Sequence, residues 1–154
     1  MEEYEHKLKQ FMADHRINGE HLSFKQSCHS VEDAAKAANC TTEDFVKNIC
    51  MFDEKNNLIV AIVKGEDRVS TTQVGKHLNI DRPRTATAAE ILEKTGYPCG
   101  GTPSFGYTAY FLIDPKVMEK TTVYTGGGSE NSLVRISPQE MQKANGAQVV
   151  KMRK

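Results

Sequence analysis

Residues 96–107 read GYPCGGTPSFGY, with four glycines and two prolines in twelve positions. Proline lacks an N–H and glycine surrenders more backbone freedom than any other residue. This stretch is therefore neither a helix interior nor a central strand. It is a corner, and the strand-like TAYFLID follows it at once. A second corner, GGGS at 126–129, separates the strand-like TTVYT from LVRI. Both lie beside strands, which places permissive backbone at the rim of a sheet. There, successive N–H groups can approach an anion or a carbonyl oxygen. Neither stretch is a Walker sequence, and neither has the strand-to-helix setting of a dinucleotide fingerprint.

The remaining chain alternates helical and extended patterns. Tyr4, Leu8, Phe11 and Met12 have helical spacing, predicting an amphipathic helix that ends near His15. Asn18-Gly19 turns the chain into a short strand. SVEDAAKAA predicts a helix capped by Ser30, with Asp33 in its first turn. NCTTEDFVK predicts a short helix capped by Thr41 or Thr42. Two apolar runs flanking Asp53 and Asn57 read as a β-hairpin closed by Gly65. STTQVGKHLNI and TATAAEILEKTG predict two helices, the second with Thr87 and Glu90 as a capping box and Gly96 as its C-cap. Asp114-Pro115 opens a short helix, and Ser137 caps another. AQVVKM predicts a last strand. Residues 1–154 form one compact domain on this reading, with 1–20 as its N-terminal helix and turn. The fold class is α/β in the mixed α+β sense: a mixed sheet surrounded by helices, without strict βαβ alternation.

Composition narrows the partners. Twenty basic and twenty acidic residues give a net charge of zero, against general wrapping in nucleic acid. The longest apolar run, LIVAIV, is too short to cross a membrane. The charged N-terminus lacks the apolar centre of a signal peptide, so a cytoplasmic protein is expected. Cys28, Cys40, Cys50 and Cys99 form no C-x-x-C pair, and free thiols are expected rather than a zinc site or disulfides.

Two side chains stand out. Cys99 precedes Gly100 and would be an activated thiol if a histidine approached it, but none of His6, His15, His21, His29 and His77 sits in a catalytic motif. A space-filling role is the favoured reading. Lys47 begins an apolar strand and by alternation shares a face with Ile49 and Met51. It either snorkels to the rim or points into a cleft to hold a phosphate or carboxylate.

The ordered set SVEDAAKAANCTTEDFVKN, IVAIVKGEDRVS, TGYPCGGTPSFG, FLID and VYTGGGSENSLVRISPQEM resembles the YbaK-type aminoacyl-tRNA deacylases. That family includes the editing domain inserted in many bacterial prolyl-tRNA synthetases and its free-standing relatives. The likeness runs from Ser23 to the C-terminus, in order and without large gaps. It implies trans-editing: hydrolysis of the ester between a wrong amino acid and tRNA, typically cysteine or alanine on proline tRNA. It implies Lys47 as the group that holds a phosphate or the terminal ribose, and Gly100 and Gly101 as oxyanion donors. Asn48, Thr102, Pro103, Ser104 and Gly106, with Gly126, Gly127, Gly128 and Ser129, would surround the substrate. Phe45, Ile49 and Met51 would line a small acyl pocket. No metal or cofactor is implied. The partners are the aminoacylated 3′ end of tRNA and, as a candidate, a prolyl-tRNA synthetase. On this reading alanine at Gly100 or Gly101 harms activity more than folding.

The chain departs from the family in two places. The family's Gly-x-x-x-Pro spacing puts proline at 104, whereas this chain has Pro103 and Ser104. The alanine-clearing branch, which shares Asn48, has a histidine after the second glycine turn, where Glu130-Asn131 stands here. The alternatives are a non-catalytic tRNA- or nucleotide-binding module of the same fold and a thiol enzyme using Cys99.

Overall fold

The computed structural model describes residues 2–25, 31–38 and 41–154. In chain order the elements are α1 (Glu2–Asp14), β1 (Gly19–Ser23), α2 (Val31–Ala38), β2 (Val46–Phe52), β3 (Leu58–Lys64), α3 (Thr71–Leu78), β4 (Arg84–Thr85), α4 (Ala88–Thr95), β5 (Tyr110–Ile113), α5 (Pro115–Met118), β6 (Val123–Gly126), β7 (Ser132–Ile136), α6 (Pro138–Asn145) and β8 (Gln148–Val149). Single 3-10 turns span Thr42–Asp44 and Cys99–Gly101. The expected mixed α+β class holds, but the strands divide between two sheets. A five-stranded mixed sheet has the order β4-β2-β3-β5-β8, and a three-stranded antiparallel sheet the order β1-β7-β6.

The apolar run LIVAIV explains the centre of the larger sheet. It forms β3, paired antiparallel with β2 and parallel with β5, so neither edge is free and both faces are covered. Val60 and Ile62 face one apolar cluster, with Leu8 and Met12 of α1, Val134 and Ile136 of β7, and Met141 of α6. Ile59, Ala61 and Val63 face the other, with Val74 of α3, Leu112 of β5 and Met152 of the tail. Each fully buried Val or Ile contributes roughly 1.5–3 kcal/mol relative to exposure, so this strand anchors the molecule.

Local signals set the helix ends. Thr87 Oγ1 accepts the Glu90 N–H at 3.2 Å, and Glu90 Oε1 accepts the Thr87 N–H at 3.0 Å. Gly96 ends α4 in the left-handed region at φ 82°. Ser137 and Asp114 cap α6 and α5, each followed by proline in the first turn. The segment expected as a short helix at Thr42 is only one 3-10 turn, because Phe45 is already extended and enters β2. The Ser30 cap, Cys28, His29 and Cys40 lie outside the described residues.

Candidate active site

Strand β2 is paired with β3 along its whole length, but on its other edge β4 reaches only Met51 and Phe52. The Ala86 N–H donates to Cys50 O from that second side at 2.9 Å. Main-chain groups of alternate residues point to the same edge, so the N–H and C=O of Asn48 face the open one. Facing it are the Cys99–Gly101 turn and the end of β6. They enclose a cavity of about 230 Å³ whose lining includes Lys47, Asn48, Gly100 and Thr125. Ala34, Phe45, Ile49 and Leu133 give it an apolar side. The Phe45 ring stacks on Tyr124, with centroids 5.1 Å apart, and stiffens that wall.

Lys47 is half-buried at this cavity and has no ion pair among the described residues. Lys64 and Lys120, by contrast, are held by Glu66 at 2.8 Å and Asp44 at 3.4 Å. A cation without a protein counter-ion at the mouth of a cleft is available to an anionic ligand. The Gly101 N–H donates to Pro98 O at 2.9 Å, while the Gly100 N–H has no acceptor among the described residues. Of the two expected oxyanion donors, Gly101 is therefore engaged, and Gly100 is free among the described residues.

The two glycine corners meet backbone to backbone. The Gly128 N–H donates to Gly101 O at 2.8 Å. A Cβ on Gly101 would stand 2.6 Å from the carbonyl carbon and oxygen of Ser129, and one on Gly126 2.7 Å from Gly101 O. Gly128 takes φ 102° under Tyr4 of α1. The Gly127 N–H donates to Ser132 O at 3.1 Å, and the Ser129 N–H to Ser132 Oγ at 3.1 Å. The second corner thus supports the first. Gly127, Gly128 and Ser129 direct their N–H groups into the protein rather than toward a substrate.

Asn48 binds inward as well. Its Nδ2 donates to Thr102 O at 3.0 Å and to Thr125 Oγ1 at 3.1 Å, and its Oδ1 accepts from Ser104 Oγ at 2.6 Å. The side chain joins β2 to the glycine loop and to β6, leaving the main chain of Asn48 to face the cavity. The loop is braced from outside by Asn145 Nδ2 on Ser104 O at 2.8 Å and by Tyr107 Oη on Pro103 O at 2.7 Å.

The profile of the aminoacyl-tRNA editing domain matches residues 25–144. The chain belongs to this family. A curated relative, the uncharacterized protein YwhH of Bacillus subtilis strain 168, is 24% identical over 122 residues, covering 78% of this chain and 77% of that protein. The crystal structure of the hypothetical protein APE2540 superposes with a TM-score of 0.88 at 25% identity, covering 96% of this chain and 99% of that one. The structure of a candidate trans-editing enzyme for prolyl tRNA synthetase superposes with a TM-score of 0.90 at 22% identity, over 98% and 97% of the two chains.

Within this editing domain, Lys47, Asn48, Phe45, Ile49, Gly100, Thr102 and Gly126 gather at one cavity. Met51 does not. It shares the Lys47 face by alternation, but it is wholly buried beneath Val74 and Leu112, since that face passes under α3 two residues beyond Ile49. Pro103 and Ser104 are buried behind the loop, and Gly106 turns at φ 98° beside Leu8 and Tyr97, away from the cavity. Cys99 lines the cavity and is exposed, but no histidine among the described residues lines it with Cys99. Sequence reasoning overlooked Ala34, Tyr124, Thr125 and Leu133. Thr125 was accessible from the alternation of β6, where Val123 and Thr125 are buried and Tyr124 and Gly126 less so.

Proposed function

We infer that this editing domain is a hydrolase that deacylates mischarged aminoacyl-tRNA in trans, with cysteine or alanine on proline tRNA as its substrates. One observation carries the reading. Among the described residues, a lysine without a counter-ion and a loop N–H without an acceptor line one small cavity that also has an apolar side. The family supplies the ester, and the cavity offers complementary groups for each of its parts.

Lys47 holds the terminal phosphate or ribose, a charge-assisted contact. The small acyl group lies against Phe45, Ile49 and Leu133, and a larger one is excluded by size. Water adds its oxygen to the ester carbonyl carbon, and the carbonyl oxygen becomes an oxyanion. The Gly100 N–H donates to that oxyanion; one such donor is worth roughly 3 kcal/mol of barrier in acyl transfer. The bond from carbonyl carbon to ribose oxygen then breaks. The ribose oxygen takes the proton that the water gives up, with the neighbouring ribose hydroxyl as relay, and the free amino acid and uncharged tRNA leave. No side-chain nucleophile takes part. A prolyl-tRNA synthetase is the partner from which the mischarged tRNA would come, by analogy with the structural neighbour that is a candidate trans-editing enzyme for prolyl tRNA synthetase.

A panel of cysteinyl-, alanyl-, seryl- and prolyl-tRNA, tested under one set of conditions, checks this reading. Release of at least one non-cognate amino acid is expected. Silence across the panel, with measurable tRNA binding, would favour the non-catalytic binding module instead.

A further inference from the structure

We propose that the Ser104 and Thr125 hydroxyls are positioning groups for the hydrolysis, because with the Asn48 amide they close a hydrogen-bonded ring that fixes the glycine loop relative to Lys47. The proposal rests on the deacylase reading above.

The proton count fixes the direction of the ring. Nδ2 of Asn48 must face Thr102 O, since the opposite amide orientation would set two carbonyl oxygens against each other. Its second N–H then reaches Thr125 Oγ1, and Oδ1 faces Ser104 Oγ, whose single proton it accepts. Ser104 Oγ and Thr125 Oγ1 lie 2.8 Å apart. The proton between them must come from Thr125, because that of Ser104 is already placed. Asn48 donates to Thr125, Thr125 to Ser104, and Ser104 to Asn48, so every bond runs the same way round. Bonds so arranged polarise and strengthen one another. Ser104 is 0% exposed and Thr125 1%, so the ring is shielded from bulk solvent.

This geometry matters to the reaction because of what the ring connects. Lys47 precedes Asn48 on β2. Thr102 and Ser104 belong to the loop that presents Gly100, and Thr125 precedes the glycine corner that supports that loop. One ring therefore sets the separation between the cation and the oxyanion donor. Ser104 occupies the position at which the loop departs from the Gly-x-x-x-Pro spacing. Its hydroxyl gives the loop a fixed point on β2 there that a proline ring, lacking a donor, cannot give.

Three variants test the idea, each assayed for kcat and KM on the best substrate and for amide hydrogen exchange at residues 99–102. Thr125→Val removes the hydroxyl at nearly constant shape and is expected to lower kcat about tenfold with little change in KM, and to speed exchange in the loop. Thr125→Ser keeps the hydroxyl and should stay within about twofold of wild type. Ser104→Ala should resemble Thr125→Val, and the double variant should be little worse than either single one, since the ring opens only once. Wild-type kcat and wild-type loop exchange in a folded Thr125→Val protein would overturn the proposal, as would equal losses in Thr125→Ser and Thr125→Val. If Ser104→Ala does not fold, the two Thr125 variants decide alone. A wild type inactive on every ester defeats the deacylase reading. Exchange then still decides on the ring: unchanged exchange in Thr125→Val overturns it.

Discussion

At the scale of single residues, the same cavity contains groups with opposite expected tolerances. Lys47→Ala removes a charge that no protein group balances among the described residues. It should lower deacylation at least about tenfold, the weight of a charge-assisted contact of roughly 1.5–3 kcal/mol, and leave the melting temperature nearly unchanged. Single-turnover kinetics beside a thermal melt will check both halves. Gly101→Ala is expected to affect folding as well as activity, unlike what the loop sequence suggests. Its Cβ would meet Ser129 main chain at 2.6 Å and Gly128 main chain at 2.7 Å, so backbone must move. A loss of folding stability on the order of 1–3 kcal/mol or more is expected by denaturant titration, along with lost activity. Cys99→Ser should retain most activity, since the thiol is exposed and no histidine of the described residues shares its cavity. Inactive Cys99→Ser with a normal melt would restore the thiol mechanism.

At the scale of elements, the parts legible in the sequence were those fixed by neighbours in the chain. The α4 cap was one of these. Thr87 and Glu90 are three residues apart, and their reciprocal bonds need no knowledge of the fold. The same cap gives a pH prediction. Hydrogen bonds from Arg84 and the Thr87 N–H hold the Glu90 carboxyl down at about 2. The carboxylate is thus favoured in the folded state. Its contribution is whole above the ordinary carboxylate range near 4.3 and fades as pH falls toward 2. Thr87→Ala should cost about 1 kcal/mol with little dependence on pH, since its main-chain N–H still bonds the Glu90 carboxylate. Glu90→Gln, by contrast, should cost stability at neutral pH that shrinks as the pH falls toward 2, in thermal melts of each variant beside wild type. Less legible were features that depend on distant residues. The Asn48 bonds span 54, 77 and 56 positions, and no local pattern announces them. Met51 was placed on the correct face of β2. The sequence could not show that α3 covers that face two residues past the cavity. Strand β4 is two residues long, below what alternation can reveal.

At the scale of the whole molecule, the strands other than β4 were recognisable one by one, while their division into two sheets was not. The β1-β7 pairing joins residues more than a hundred positions apart, and only the closed core selects it. That division creates the site. The larger sheet supplies an open edge at β2, the smaller supplies β6 and its glycine corner, and the first glycine corner fills the angle between them. No helix among the described residues is long and apolar enough to cross a membrane. The central claim is that this junction removes a wrong amino acid from tRNA by water and the Gly100 N–H, with the substrate positioned by Lys47. The most direct measurement is amino acid release from alanyl- and cysteinyl-tRNA(Pro), with prolyl-tRNA(Pro) as the control, by wild type and Lys47→Ala. We expect release from at least one non-cognate ester, little from the prolyl ester, and at least about tenfold slower release by the variant. Equal rates for wild type and Lys47→Ala, or no release from any ester, would contradict it.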